Sequence, residues 1–285
     1  MYREGAAAGI PGAVVWESIA AGGAATRVLP DGCLDLLWSS RAGLLVAGPD
    51  RTAHLSGSAP GERWVGLRLP PGTGPAVLGV PADALRDRRV PLADLWGRAA
   101  VELADRLAVT VEADHPRRPG VADAAAPGRA GFSAGPPSPG RAGSSAGPAV
   151  PATGVAPDWP GRTEPVAAAL EAVAVARLRA AGGPDPLGAR VAARLAAGAT
   201  VAATAAEVGL GARALHRRSR TLFGYGPKTL ARILRMRRAL DLARAGTPLA
   251  EVAALAGYAD QAHLTREVKE FAGVSPTHLL PARHA

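Results

Sequence analysis

The sequence predicts an α+β protein of two domains, a β-rich, sandwich- or barrel-like N-terminal domain and an all-α C-terminal domain with two helix-turn-helix units. Three observations predict it. Before residue 112, short apolar stretches alternate with polar residues and are punctuated by turn residues. A central stretch rich in Pro and Gly then has no apolar period. After it, apolar residues recur every three to four positions, and one helix–turn–helix pattern occurs twice. A chain of 285 residues is also longer than one average domain.

In the N-terminal part, 1–112, Val65, Leu67 and Leu69 alternate with Trp64, Gly66 and Arg68, the period of a half-buried strand. Thr26–Leu29, Cys33–Trp38 and Leu44–Ala47 read as further strands, separated by the turn signals Pro30-Asp31-Gly32 and Gly48-Pro49-Asp50. One helix is expected from about Leu92 to Val109, with Leu95, Ala99, Leu103 and Leu107 on a stripe. Residues 113–162 read as a disordered linker. Between Pro116 and Gly161 there are 10 Pro and 9 Gly in 46 residues, too few apolar side chains to offset the entropy of ordering.

The C-terminal part, 163–285, reads as helical, with expected helices at Val166–Ala180 and Pro186–Ala197. The repeat follows. In the first copy Thr200 caps a helix that stops at Gly209, and a second helix runs from Arg213 to about Phe223. In the second copy Thr247 caps, with Pro248 at the first helical position. That helix stops at Gly257, and Asp260 starts a helix to about Phe271. The copies close alike, on Gly224-Tyr225-Gly226-Pro227 and Gly273-Val274-Ser275-Pro276, and Pro227–Ala245 reads as one connecting helix.

Charge adds a functional direction. Residues 1–185 carry 18 basic and 18 acidic side chains and residues 186–285 carry 15 and 6, so the whole excess of +9 lies in the repeat region. A basic helical end with two such units points to a polyanion, and the second helix of each unit is the one that enters a major groove. The first such helix offers Arg213, His216, Arg217 and Arg220 outward, with Leu215 and Leu222 inward. The second offers Gln261, His263, Thr265, Arg266 and Lys269, with Leu264, Val268 and Phe271 inward. Arg to guanine, Gln to adenine and hydroxyls to either are the usual edge contacts. Arg232, Arg235 and Arg238 on the connecting helix are phosphate candidates.

Ala256-Gly257-Tyr258-Ala259-Asp260-Gln261-Ala262-His263-Leu264-Thr265-Arg266, closing on Gly273-Val274-Ser275-Pro276, resembles the signature of the AraC/XylS family of bacterial transcriptional regulators. With the first copy and the connecting helix the resemblance covers about residues 186–281. It implies a seven-helix domain that binds DNA as a single chain, two recognition helices lying in successive major grooves. It places base contacts on Arg213, His216 and Arg217 and on Gln261, His263, Thr265 and Arg266. Ser219 and Val268 stand where the family usually has a core aromatic. The N-terminal segment resembles, through LPDGCLDLLW, LLVAGPD, WVGLRLPPG and VPLADLWG, an uncharacterised domain found ahead of this DNA-binding domain in actinobacterial regulators, which implies a sensory or dimerising role.

Other chemistries find no constellation. Cys33 is a single cysteine, expected on a buried strand, too few for a thiolate metal site or an intrachain disulfide, and this points to the cytoplasm. Asp31 and Asp35 are four apart, but one of them is expected to serve the turn rather than form an acid/base pair. His54, His115, His216, His263, His278 and His284 include no pair at ligand spacing, and Pro71-Gly72-Thr73-Gly74 lacks the Lys-Ser/Thr of a phosphate loop. The expectation is a cytoplasmic, nucleoid-associated regulator with no catalytic residues, metal or cofactor. Its partners would be double-stranded DNA, RNA polymerase, an unidentified small-molecule effector and a second copy of the chain, and no membrane. The rival readings are a non-specific nucleoid-type binder, and an N-terminal ligand-binding or enzymatic domain with incidental DNA binding.

Overall fold

The computed structural model describes residues 2–22, 25–114 and 165–280; the segment expected as a linker lies outside them from residue 115 onward. The N-terminal elements are β1 (Tyr2–Ala6), β2 (Val14–Ile19), β3 (Thr26–Val28), β4 (Leu34–Ser39), β5 (Gly43–Ala47), β6 (His54–Ser56), β7 (Arg63–Leu69), α1 (Gly74–Leu78), a 3-10 turn at Ala82–Ala84, β8 (Arg89–Pro91), α2 (Ala93–Trp96) and α3 (Arg98–Asp114). Six strands form one antiparallel sheet in the order β1-β2-β7-β4-β5-β8, and β3 pairs with β6 in a separate ribbon. β1, β2, β6 and β8 are not predicted by the sequence, because their apolar runs are short and their edge residues polar.

Register explains how the sheet makes a core. Val15, Leu67, Leu36, Val46 and Val90 are successive partners across it, and with Leu34, Val65 and Leu69 they bury one face completely. Each such side chain removed from water contributes about 1.5–3 kcal/mol. The layer that covers this face is helical: α3 gives Leu103 and Leu107, and α4 (Pro165–Ala180) gives Val166, Leu170, Ala174 and Leu178. Helix α4, read from sequence with the C-terminal helices, thus contributes its stripe to the first core. The helix expected over Leu92–Val109 is interrupted at Gly97, whose φ of 54° and ψ of −126° separate α2 from α3. A mixed apolar pattern hides that break because the stripe resumes in phase beyond it.

The opposite face of the sheet carries Trp16, Asp35 and Arg68. Trp16 lies flat over Gly66, where a Cβ would come within 2.3 Å of the indole. The C-terminal helices are α5 (Pro186–Ala196), α6 (Val201–Glu207), α7 (Ala212–Phe223), α8 (Pro227–Arg244), α9 (Leu249–Leu255), α10 (Gln261–Ala272) and α11 (Pro276–Leu279). They share a second core, in which α8 buries Leu230, Ile233, Met236 and Leu240 between the two helix pairs. Leu29 of the sheet unit belongs to this second core, so the two units are packed together. No helix among the described residues is long and apolar enough to cross a membrane.

Candidate nucleic-acid interface

Helices α6 and α7 form the first helix pair, α9 and α10 the second. Thr200 caps α6 as its sequence position requires, its hydroxyl accepting from the Ala203 N–H at 3.1 Å. The second copy differs: Pro248, in extended conformation, is the N-cap of α9 and has no side chain to cap with, so Thr247 falls one residue too early. Asp260 caps α10, accepting from the His263 N–H at 2.6 Å. The second helix of each pair ends on a left-handed glycine, α7 on Gly224 with φ 83° and α10 on Gly273 with φ 75°.

Arg213, His216, Arg217 and Arg220 are exposed on α7, while Leu215, Ser219, Leu222 and Phe223 face the core. Gln261, Arg266 and Lys269 are exposed on α10, while His263 and Thr265 are half-buried and Leu264, Val268 and Phe271 buried. The second-copy histidine is built into the turn: its ring meets Tyr258 edge-on at 5.2 Å and its Nδ1 accepts from the Ala259 N–H. His216 lies across the turn after α7, where a Cβ on Gly226 would come within 2.6 Å of the imidazole. Arg220 pairs with Asp83 of the 3-10 turn at 2.9 Å, and the two line a concavity of about 600 Å³ with Arg213, His216, Arg217 and Thr221. Ser219, at a position the family resemblance gives to an aromatic, is buried with its hydroxyl unpaired.

Of the three arginines expected to be free on α8, only Arg238 is exposed. Arg232 and Arg235 converge on Glu267, the one acid on the inward side of α10, at 2.8 and 2.7 Å, and Tyr258 donates to the same carboxylate at 2.9 Å. Burial pushes Glu267 up, but hydrogen bonds from Arg235, Arg232 and Tyr258 outweigh it and hold the carboxyl below its usual range. Arg232 is held above its usual value, chiefly by its hydrogen bond to Glu270. The acid on an otherwise apolar stripe was visible in the sequence, but its partners sit on another helix. Lys228 and Arg238 remain exposed beside this cluster, on a groove of about 740 Å³ that separates the two helix pairs.

A second polar set lies between the sheet and α8. Arg68 sits 3.4 Å from Asp31 and 3.5 Å from Asp35, and Asp35 also accepts from the Trp16 indole at 2.9 Å. Asp31 serves its turn by accepting from the Cys33 N–H, and it meets Asp35 at the same guanidinium. Cys33 lies in the turn before β4, partly buried, rather than on the strand; burial, then Asp31, pushes its thiol well above the usual range. Arg237 of α8 faces this set, its pKa pulled down by burial and up by Asp31. Among the described residues, no three His, Cys, Asp or Glu side chains are grouped to hold a metal ion.

Residues 204–281 match a family model described as a helix-turn-helix domain, and residues 13–91 match one described as a domain of unknown function, DUF6597. No curated protein matches the sequence. Among solved structures, the C-terminal domain of AraT, a response regulator from Geobacillus stearothermophilus, is 21% identical, covering 35% of this chain and 92% of its own, with a TM-score of 0.32. A probable AraC family transcriptional regulator from Rhodopseudomonas palustris CGA009 is 21% identical, covering 34% and 95%, with a TM-score of 0.30. ToxT from Vibrio cholerae is 9% identical over 99% of each chain, with a TM-score of 0.42. The chain therefore carries a helix-turn-helix domain over residues 204–281 and a DUF6597 domain over residues 13–91, and the first of these is a DNA-binding fold of transcription regulators.

Proposed function

We propose that this regulator reads DNA sequence with both recognition helices, α7 and α10, in two successive major-groove segments. The observation that carries the reading is the exposure of Arg213 and Arg217 on the first turns of α7 and of Gln261 and Arg266 on the first turns of α10. The apolar sides of both helices are spent in one core. Residues near the N-terminus of a recognition helix are those that reach base edges. His216 and Thr265 would add contacts at the groove wall, His263 would orient the α10 turn, and Lys269, Lys228 and Arg238 would set phosphate register. Residues 2–114 with α4 would form the regulatory unit, and the DNA-binding unit would begin at Pro186.

Selection of random duplexes on the full chain, with affinities measured at two salt concentrations, tests this. The expected product is a motif of two blocks about 10 base pairs apart. Arg266→Ala is expected to lower specific affinity by roughly 1–3 kcal/mol with the fold intact. Salt-dependent binding with no enriched motif would replace the reading with a non-specific nucleoid-type binder.

A further inference from the structure

We infer that the DUF6597 unit is a clamp that fixes the separation of the two recognition helices, with Arg27 and Arg86 as its positioning residues; the inference rests on the reading of α7 and α10 as DNA readers. The last carbonyls of a helix have no partner within it and seek donors elsewhere. At α10 two of those donors come from the sheet unit, and at α7 the sheet unit donates to the glycine that caps the helix. At the end of α7, Arg86 Nη1 donates to the Gly224 carbonyl at 2.7 Å. At the end of α10, Arg27 Nη1 donates to the Ala272 carbonyl and the Ala53 N–H to the Phe271 carbonyl, each at 2.6 Å.

The two grips are built differently, and each is held in place by further contacts within the sheet unit. Arg27 lies on β3, and Ala53 immediately precedes its partner β6, so a single two-stranded ribbon holds α10. Arg86 precedes Asp87, a non-glycine residue with φ 58°, whose carboxylate accepts from the Arg51 N–H at 2.8 Å and its Nε at 2.6 Å. That strained backbone persists because its surroundings fix it, and it sets where Arg86 points. Gly224 meets Pro49 so closely that a Cβ would come within 2.5 Å of the ring. A guanidinium at a helix C-terminus also complements the negative end of the helix dipole.

The ends that are gripped are the ends away from the proposed base contacts. Arg213, Arg217, Gln261 and Arg266 lie toward the opposite ends and are exposed. The clamp therefore constrains both readers without covering their first turns. A rigid spacing between them favours one spacing between DNA half-sites, because preorganisation removes the cost of ordering on binding.

The test uses the full chain with nitroxide labels at Ala212→Cys and Ala262→Cys in a Cys33→Ser background, and measures the label–label distance distribution without DNA. The parent is expected to give one narrow distance. Arg27→Ala with Arg86→Ala is expected to lose it to a broad distribution, and Arg27→Lys with Arg86→Lys, which still donates to both carbonyls, to restore it. An equally narrow distribution in the double alanine variant overturns the clamp. The same proteins without labels are then bound to duplexes whose two selected blocks are separated by increasing spacers. Discrimination between the best spacer and its neighbours is expected to fall about tenfold in the double alanine variant. If no protein, the parent included, selects any duplex, the DNA reading fails, while the distance distribution still decides the clamp.

Discussion

Glu267 shows how one side chain decides the order of a neighbourhood. It is the meeting point of Arg232, Arg235 and Tyr258, and so it ties α10 to α8 and to the turn before α10. Removing it strands two cations that remain partly exposed, so Glu267→Ala is expected to cost about 3 kcal/mol, the lower end for breaking a buried ion pair. Urea unfolding followed by far-ultraviolet dichroism measures it. Because the folded pKa is depressed, the stabilisation is complete above the unfolded value of about 4.3 and is lost as pH falls through the lower folded value. The wild type should therefore lose more stability below about pH 4 than the variant does. Cys33 gives the opposite sign for a different reason. Burial and the neighbouring Asp31 and Asp35 raise its pKa, so the thiol is neutral at pH 8. A disulfide reagent should modify it at least about a hundredfold more slowly in the native protein than in urea. Equal rates would mean that the turn before β4 is open.

At the scale of elements, α7 carries the largest difference between its sequence and its setting. The sequence makes it an amphipathic, basic helix, and the structure keeps Arg213 and Arg217 exposed as that pattern requires. Nothing in the helix itself announces that Asp83, from the 3-10 turn of the other unit, pairs with Arg220. The pair is exposed and worth little to stability, about 0–1 kcal/mol. It nevertheless places a carboxylate beside a surface proposed to meet phosphates. Asp83→Asn is expected to raise DNA affinity by up to about fivefold and to steepen the dependence on salt by about one phosphate contact. Fluorescence anisotropy over a salt series measures both, and unchanged binding would place Arg220 outside the DNA contact. Helices α9 and α10 were legible almost to the residue, because Gly257, Asp260 and Gly273 punctuate them chemically. The α2–α3 break was not legible, since Gly97 interrupts the backbone without interrupting the apolar stripe.

Over the whole molecule, the two cores are joined by a sheet with two uses. One face is closed by α3 and α4, and the other presents Arg68 and Asp35, with Asp31 of the turn before β4, toward Arg237 of α8. Leu170 on α4 is fully buried in the first core although it follows the long Pro- and Gly-rich stretch in sequence. Leu170→Ala is expected to cost about 2–5 kcal/mol, and the loss should appear in tryptophan emission, since Trp16, Trp38, Trp64 and Trp96 all lie in the sheet unit. An unchanged tryptophan transition would return α4 to the helical unit. The sequence by itself determined what local chemistry can express: strands from alternation, helix ends from Thr200, Asp260 and the glycines, the repeated helix pair, and the concentration of positive charge in the last hundred residues. Only the tertiary structure decided which core α4 joins, which arginines are free and which are tied to Glu267, and which donors meet the ends of α7 and α10. The physical reason is range. Periodicity and capping act over a few neighbouring residues, whereas ion pairing and burial depend on partners brought together from distant parts of the chain, and no local pattern records them.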